Sequence, residues 1–395
     1  RVVREDPGRR GLLYAGTEFG VFVSFDDGRR WQSFQLDLPV SPVTDLRVHR
    51  QDLVVATQGR SIWILDDLTP LHELGEEVAA SGVHLYRPRD AYRMDVSGYR
   101  GQRAPEAPAQ GALFRYYLRE KPAGPVTLEV LDEDGTLVRS FSSDGEAAEP
   151  GGFAPFQEES VPAERGMNAF VWNLHHPPVD QPADLFVWGY VGGARAVPGT
   201  YRVRLTAGGR SVTRPFEVRA DPRLEGVGLE DLEEQLRLAT AVRDTMNSIY
   251  DAVRTIRDLR EQVEGVSARM AGTRGRGEPS TPGAADDRDR RGISRAADSL
   301  VLALTTMEET LVQPRIESSQ DVDNFSPQLD NEYAHRYGVV ALPDARPTSG
   351  SYERFDDLNR EWAALRGRYR ALLREAVPAF NRRLEAAGVR PVGPG

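Results

Sequence analysis

Two different spacings of hydrophobic residues divide the chain. Up to about residue 220 the apolar residues alternate with polar ones in short runs, as in Tyr201, Val203 and Leu205, and this period of two is typical of half-buried strands. From Leu229 onward they recur every three or four residues, which is typical of amphipathic helices. The pattern therefore predicts a multidomain α+β protein with its β-sheets first and its helices last.

The first 68 residues predict five short strands and one distinctive turn. Aromatic and β-branched runs alternate with glycine and polar breaks, and the runs span residues 12–17, 20–25, 43–49, 52–57 and 61–66. After the second run, Ser24, Asp26, Gly28 and Trp31 follow the spacing Ser-x-Asp-x-Gly-x-x-Trp. We expect Asp26 to accept backbone N–H bonds across a tight turn, Gly28 to adopt a positive φ and Trp31 to bury its ring.

This spacing resembles the aspartate box of the bacterial-neuraminidase repeat, a structural turn in the blades of β-propellers. The resemblance implies that residues 1–68 are terminal β-propeller blades. A propeller closes a ring of about four to eight blades, and this segment has material for fewer than that. We therefore expect an incomplete propeller at the end of a longer protein, and the first residue, Arg1 in place of Met, agrees with a truncated or processed start.

The residues that follow predict a connector and a second set of strands. Residues 69–82 predict a short helical connector, with Pro70 near its first helical position. Residues 83–222 then return to strands between Gly, Pro and Asp turns, with runs at 83–87, 112–118, 126–131, 137–141, 166–173, 198–205 and 212–218. The hairpin at 132–135 is acidic. A calcium loop is the functional alternative to a plain turn there, but the ligand spacing does not continue.

The second set of strands resembles the Ig-like module of flagellar hook-capping proteins. The shared elements are Gly166-Met167-Asn168, Trp172-Asn173 and Pro198-Gly199-Thr200-Tyr201. The resemblance implies an Ig-like β-sandwich over residues 83–222. Within it, the pair His175-His176 is read as a surface loop, with a metal site as the alternative. Trp188 and Tyr190 either stack on a sugar or cover a domain junction.

Three apolar seams in residues 223–395 predict an antiparallel three-helix bundle. The seams run over 229–263, 293–311 and 355–384, and Pro378 is expected to kink or end the third helix. Residues 265–292 have almost no apolar content and predict a flexible linker. The polar faces are expected to be solvated, with a helix-mediated partner as the alternative.

Residues 315–350 differ from the other connection because they contain enough apolar residues to pack as an ordered segment. Their oxygen-rich side chains are expected to cap turns rather than to bind a cation, and they are Asp321, Asp323, Asn324, Asp330 and Asn331.

Composition restricts the chemistry and the partners. The formal net charge is -10, which argues against a general nucleic-acid or anionic-membrane partner. No run approaches the roughly 18 apolar residues that a membrane helix needs, so we expect no membrane insertion. The chain has no cysteine, which excludes disulfides, thiolate metal sites and cysteine nucleophiles. We expect no cofactor and no metal.

The box, the Pro-Gly-Thr-Tyr sandwich and the helical tail, in this order, resemble the C-terminal portion of large bacterial proteins with sortilin-like propellers, often labelled glycosyl-hydrolase repeat proteins. The resemblance implies an extracytoplasmic protein, periplasmic or secreted, whose propeller binds a carbohydrate or protein ligand. We favour a non-catalytic binding or scaffolding role, because a fold does not by itself imply an activity.

The alternative is a glycoside hydrolase of the sialidase or xyloglucanase type, with its catalytic residues mostly on the missing blades. Such an enzyme needs a pair of carboxylates placed across a sugar. Glu18, at the turn between the first two strands, is the weak candidate for its acid.

Overall fold

A computed structural model describes residues 1–94, 109–145, 160–272, 284–318 and 320–393 of the 395-residue chain. The protein is a mixed α and β structure with four sheets and several helices in these residues. Its contacts group into two compact units. Of the described residues, 1–94, 109–145, 160–174 and 197–224 form the first unit, and 175–196 and 225–393 form the second.

The first unit begins with an antiparallel sheet of four strands in chain order. Its strands are β1 (Val2–Glu5), β2 (Leu13–Thr17), β3 (Gly20–Ser24) and β4 (Gln32–Ser33). Alternate residues such as Tyr14, Val21 and Val23 are buried, as the period of two predicts.

A three-stranded antiparallel sheet follows, and its inner residues share a hydrophobic core with the first sheet. Its strands are β5 (Val43–His49), β6 (Asp52–Thr57) and β7 (Ile62–Leu65), with β6 in the middle. Val43, Leu46, Leu53 and Val55 belong to that core. The side chain of Arg4 also links the sheets, since its Nε donates to the Leu46 carbonyl oxygen at 2.9 Å.

The predicted helical connector consists of α1 (Thr69–Glu73) and α2 (Glu76–Ala80). Asp6, whose side chain is buried, holds α1 against the first sheet: its Oδ1 lies 2.9 Å from His72 Nε2, and Tyr14 donates its hydroxyl to Oδ2 at 2.8 Å. Arg9 adds hydrogen bonds to the carbonyl oxygens of Leu71 and Leu74. The connector is therefore tied to the sheet through the buried carboxylate of Asp6, both of whose oxygens have hydrogen-bond partners.

Two further sheets complete the first unit. Their strands are β8 (Val83–Leu85), β9 (Ala91–Arg93), β10 (Ala112–Leu118), β11 (Thr127–Leu131), β12 (Leu137–Ser142), β13 (Gly166–Trp172), β14 (Gly199–Ala207) and β15 (Arg210–Ala220). One sheet has the order β13-β10-β8 and the other β12-β11-β14-β15-β9. The strand predictions are confirmed to within a few residues. The short strand β9, which pairs with β15 in parallel, was not predicted.

Aromatic side chains from both of these sheets form a common core. The ring of Phe114 on β10 lies 5.3 Å from that of Phe216 on β15, and Trp172 on β13 lies 5.6 Å from Tyr201 on β14. All four residues are buried. Large rings packed at an angle to one another contribute both buried apolar area and a favourable ring geometry, so they help to hold these sheets together.

Helices dominate the second unit. They are α3 (Leu229–Gly272), α4 (Ala284–Leu311), α5 (Leu329–Ala341), α6 (Ser349–Ala371) and α7 (Val377–Ala386), with a short 3-10 turn at Asp321–Asp323. The predicted seams are buried, including Val242, Ile249 and Ile256 on α3 and Leu304 on α4. The sequence predicted three helices. The ordered segment 315–350 contains a fourth, α5, whose Tyr333 and Tyr337 are in the same core.

Three expectations from the sequence need correction here. Residues 265–272 and 284–292 are helical and do not belong to a linker. Despite their low apolar content, the first range is the end of α3 and the second is the start of α4. The rest of the expected linker, 273–283, lies outside the described residues. Of the two outcomes expected at Pro378, a kink or an end, the end is wrong, because the helix continues through this residue. A π-helical turn, Leu372–Ala376, precedes it and joins α6 to α7 without a break. Because proline has no N–H to donate to the preceding turn, a wider turn there accommodates it.

The third correction concerns residues 175–196, which the sequence assigned to the sandwich. They belong to the helical unit, because Val179, Leu185 and Val187 are buried in the helical core. Arg254 on α3 donates to the Asp180 carbonyl oxygen at 2.7 Å, and Gly189 packs so closely on Ala334 that a Cβ at Gly189 would lie 2.7 Å from the Ala334 Cβ. The alternation of apolar residues in this segment therefore serves a helical core rather than a sheet.

Candidate functional site

The turn after β3 is held by a local hydrogen-bond network around two side chains. Ser24 Oγ donates to Asp26 Oδ1 at 2.9 Å and accepts the Gly28 backbone N–H at 2.9 Å. Asp26 Oδ1 also accepts the Arg30 backbone N–H at 2.8 Å, and this bond is the main reason that the pKa of Asp26 lies below its usual range. Gly28 has φ of 84°, in the left-handed region. The arrangement closes a hairpin, and Ser24 Oγ and Asp26 Oδ1 are both used in its hydrogen bonds.

Trp31 does not bury its ring as expected, because it is 40% exposed. It precedes β4, a strand of two exposed residues at the edge of the sheet, so no further strand covers it. The indole instead lies along Gly28, where an added Cβ would stand 3.7 Å from Trp31 Cζ2. The ring covers the turn and remains open to solvent on its other side.

Glu18 forms a two-point ion pair with Arg1. Arg1 Nε lies 2.7 Å from Oε1, and Nη2 donates to Oε2 at 2.8 Å. The hydrogen bond from Arg1 holds the pKa of Glu18 below its usual range, and the side chain is more than half exposed. A general acid in a glycosidase needs the opposite shift, a raised pKa in a dry site. This surrounding therefore suits a surface ion pair rather than a proton donor.

The edge strand β7 is exposed over most of its length. Ile62 is 65% exposed, Trp63 38% and Ile64 59%, although all three lie in a regular strand paired with β6. Among the described residues no strand pairs with the other side of β7. Successive residues of a strand point to opposite faces, so apolar side chains project from both faces of this edge. The sequence predicted the strand but gave no sign that it would be exposed.

Two carboxylates and two guanidinium groups cluster around the residues that follow β7. Asp52 Oδ1 accepts the Asp67 backbone N–H at 2.9 Å and lies 2.6 Å from Arg89 Nη1, while Asp67 Oδ2 lies 3.4 Å from Arg115 Nε. Burial, together with the charge of Asp52, raises the pKa of Asp66. The paired carboxylates and guanidinium groups tie the end of β7 to β10 and to the segment before β9. These ion pairs and hydrogen bonds therefore fix the position of the residues that follow the exposed strand.

The candidate cation ligands have other roles. Asp132 Oδ1 accepts the Thr136 backbone N–H at 2.7 Å and closes its hairpin, and Asp321 Oδ2 accepts the Ser318 backbone N–H at 2.9 Å. The expectation of turn capping is confirmed for Asp321 but is wrong for Asn331, whose side chain bonds the backbone of Trp188, 143 positions away. His176 donates its backbone N–H to the Ala194 carbonyl oxygen at 2.8 Å inside the helical unit. Within the described parts of the chain, no group of three or more His, Cys, Asp or Glu side chains is placed to hold a metal ion.

The two aromatic residues of segment 175–196 differ in their surroundings. The Tyr190 ring packs on Tyr337 of α5 with centroids 5.4 Å apart, and its hydroxyl donates to the Gly193 carbonyl oxygen. Trp188 is 46% exposed, with its backbone held by Asn331. Tyr190 is therefore a packing residue of the helical unit rather than a surface for stacking a sugar.

The buried carboxylate of Glu308, in the last turn of α4, binds two arginines of α3. Glu308 accepts a hydrogen bond from Arg257 Nε at 2.6 Å and a second one from Arg260 Nη1. Arg257 also reaches both carboxylate oxygens of Asp184, at 2.8 and 2.7 Å. These residues line a cleft of about 390 Å³. Because the buried charges are already paired with one another, the network fixes segment 175–196 onto the helices.

Asp330 is a second buried carboxyl group, at the start of α5. Its Oδ1 accepts the Asn331 backbone N–H at 2.8 Å, and its Oδ2 lies 3.4 Å from the Tyr250 hydroxyl. Burial raises the pKa of Asp330 to about 7. Nothing in the sequence distinguished Asp330 from its exposed acidic neighbours, because burial depends on how α5 packs.

No protein-family description, no curated protein and no solved structure matches this chain. No helix among the described residues is long and apolar enough to cross a membrane. A functional proposal therefore rests on the geometry of the surfaces described above.

Proposed function

We propose that this chain is a non-catalytic binding or scaffolding protein, and that β7 binds an extended segment of a partner protein as an added antiparallel strand. The observation that carries the proposal is the exposure of Ile62, Trp63 and Ile64 on the open edge of a regular sheet. An open edge presents unpaired backbone N–H and C=O groups, and strand addition is a common way to bind an extended peptide.

The composition of β7 supports strand addition. Exposed edges are ordinarily protected by charged residues, by proline or by bulges. Residues 62–65 contain no charged residue and no proline, and their pairing with β6 has no bulge. Ile62 and Ile64 share one face, and Trp63 and Leu65 share the other. An added strand with apolar residues on both faces would therefore gain cross-strand contacts on each side.

The architecture that the resemblance implies belongs to the same proposal. Two consecutive antiparallel sheets and the turn around Asp26 support an assignment of residues 1–68 to β-propeller blades. The two sheets with Phe114 and Trp172 in their common core support an Ig-like module. We further propose an extracytoplasmic location on the same resemblance, which fractionation of the cells that make the protein would test.

The glycoside hydrolase alternative receives less support. Its weak candidate acid, Glu18, is exposed and paired with Arg1, and its pKa is lowered rather than raised. A carbohydrate ligand is retained as an outcome of the test below.

The test first selects peptides that bind the full chain and then asks whether their binding depends on pairing with β7. Peptides from a random phage-displayed library that bind the chain would be synthesised with and without N-methyl groups on alternate backbone nitrogens. In an added strand, every second backbone N–H of the peptide bonds to β7, and the others point away from it. N-methylation of the first set should therefore abolish binding, whereas N-methylation of the second set should be tolerated.

Two matched variants distinguish binding at the β7 edge from non-specific binding to exposed apolar residues. Ile64→Lys places a charge on β7, and Val40→Lys changes an apolar residue that is also exposed but lies outside any strand. We expect Ile64→Lys to weaken binding at least about tenfold, since edge charges oppose pairing, and Val40→Lys to leave it unchanged. Equal effects of both variants, or a glycan-array signal that survives Ile64→Lys, would overturn the proposal.

A further inference from the structure

The last long helix carries a row of arginines without acidic partners. Between Trp362 and Ala386 the chain has six arginines and two glutamates, in a protein of net charge -10. All six arginines are exposed, and in the described residues none of them forms an ion pair. By contrast, Arg354 and Arg360, earlier on α6, pair with Glu332 and Asp357.

Three of these arginines lie on one side of the helix. Arg366, Arg370 and Arg374 are spaced by four residues, so they follow one another along the same face at intervals of about 6 Å. We call these three residues the arginine row.

The helix itself offers the row no counterion. Charged side chains on a helix meet when they are three or four residues apart. Neither Glu361 nor Glu375 stands at such a distance from Arg366, Arg370 or Arg374. The neighbours on this face are small, since Ala363 and Gly367 each precede an arginine of the row by three positions. Small neighbours leave the guanidinium groups accessible and allow another backbone to approach closely.

These features favour one class of partner. A second α-helix with acidic residues every four positions presents carboxylates at the same interval of about 6 Å, and guanidinium groups bind carboxylates through two parallel hydrogen bonds. The row lacks the exposed apolar side chains by which interfacial helices enter a lipid surface.

We propose that the arginine row binds an acidic α-helix of a partner protein, aligned along the second half of α6 and the π turn. The row and β7 belong to different compact units, and this proposal does not depend on the function proposed above.

The test uses a defined peptide in place of the unknown partner. A fluorescent alanine-based helical peptide of about 20 residues would carry glutamate at every fourth position, and an isomer of the same composition would spread its glutamates around the helix. We expect the full chain to bind the row peptide at least about fivefold tighter than the isomer, and increasing the salt from about 50 to about 300 mM should weaken that binding.

Two double variants with the same net charge locate the site. Arg370→Glu with Arg374→Glu reverses two members of the row, and Arg368→Glu with Arg383→Glu reverses two exposed arginines on other sides of the helix. We expect the first pair to weaken binding about tenfold or more and the second pair to change it by no more than about twofold. Thermal unfolding of both variants would show that they fold.

Three results would overturn the proposal. Equal losses in the two double variants would mean that only net charge matters. Row and isomer peptides that bind equally would mean that the spacing is not recognised. Tighter binding of a duplex DNA oligonucleotide or of phosphatidylserine vesicles than of the row peptide would assign the row to a different kind of polyanion.

Discussion

One amide side chain, that of Asn331, holds both backbone groups of Trp188. The Trp188 N–H donates to Asn331 Oδ1 at 3.1 Å, and Asn331 Nδ2 donates to the Trp188 carbonyl oxygen at 2.8 Å. The pair joins residues that are 143 positions apart, and Asn331 is buried. Segment 175–196 is therefore attached to α5 through hydrogen bonds that mimic a β-sheet pair.

Removing this amide should detach the segment from α5. Asn331→Ala removes both hydrogen bonds between this side chain and the Trp188 backbone, so we expect a loss of about 2 to 4 kcal/mol in the free energy of unfolding, measured by urea denaturation. Asn324→Ala, an exposed residue of the same segment 315–350, is the control and should change stability by less than about 0.5 kcal/mol. Equal effects would mean that the pair contributes nothing.

Glu308 should be far more sensitive to substitution than its neighbour. Glu308→Ala leaves the guanidinium groups of Arg257 and Arg260 without their shared carboxylate, and loss of one partner of a buried ion pair costs about 3 to 5 kcal/mol. Glu309→Ala removes an exposed carboxylate one residue away and should cost less than about 1 kcal/mol. Urea denaturation at neutral pH compares the two, and similar losses would contradict the role assigned to Glu308.

The buried carboxyl group of Asp330 should make stability depend on pH. Its pKa in the folded protein, about 7, lies above that of an unfolded chain, so the folded state binds the proton more tightly. The contribution is present at low pH and is lost as the pH rises through about 7. Asp330→Asn should remove this loss, and its stability relative to wild type should rise by roughly 2 to 3 kcal/mol between pH 5 and pH 8.

Urea denaturation at several pH values measures this difference. Asp323→Asn, an exposed carboxyl on the preceding 3-10 turn, is the control and should run parallel to wild type. If Asp330→Asn also ran parallel to wild type, the pKa of Asp330 would not be raised in the folded protein.

The turn at Asp26 makes the opposite pH prediction. Its pKa is lowered, chiefly by the hydrogen bond from the Arg30 backbone, so it stabilises the fold at neutral pH and this contribution is lost as the pH falls through the folded pKa. Asp26→Ala should lower the melting temperature at pH 7, and the difference from wild type should shrink in acid. Asp37→Ala, an exposed residue that follows β4, is the control. An unchanged melting temperature for Asp26→Ala would contradict the role of this turn.

Local patterns determined most of the secondary structure and the tight turns. The strands at 112–118 and 199–207 and the helix from Leu229 could be predicted because the periods of two and 3.6 depend only on neighbouring residues. The network around Asp26 is also local, since its partners lie within four residues.

The candidate binding surfaces could be predicted only in part. The sequence predicted β7 as a strand, but its exposure depends on which strands pair beside it. It likewise contained Arg366, Arg370 and Arg374 at four-residue spacing, but their exposure depends on how the helices pack.

By itself, the sequence determined the order of strands and helices, the acidic charge and the absence of cysteine chemistry. Only the tertiary structure decided that Val187 packs among helices, that Glu308 is buried between two arginines, and that Asp330 lies in a dry environment. The physical reason is that burial and charge pairing depend on residues far apart in the chain. Hydrophobic period reports only which side of an element is apolar, and not which other element will cover it.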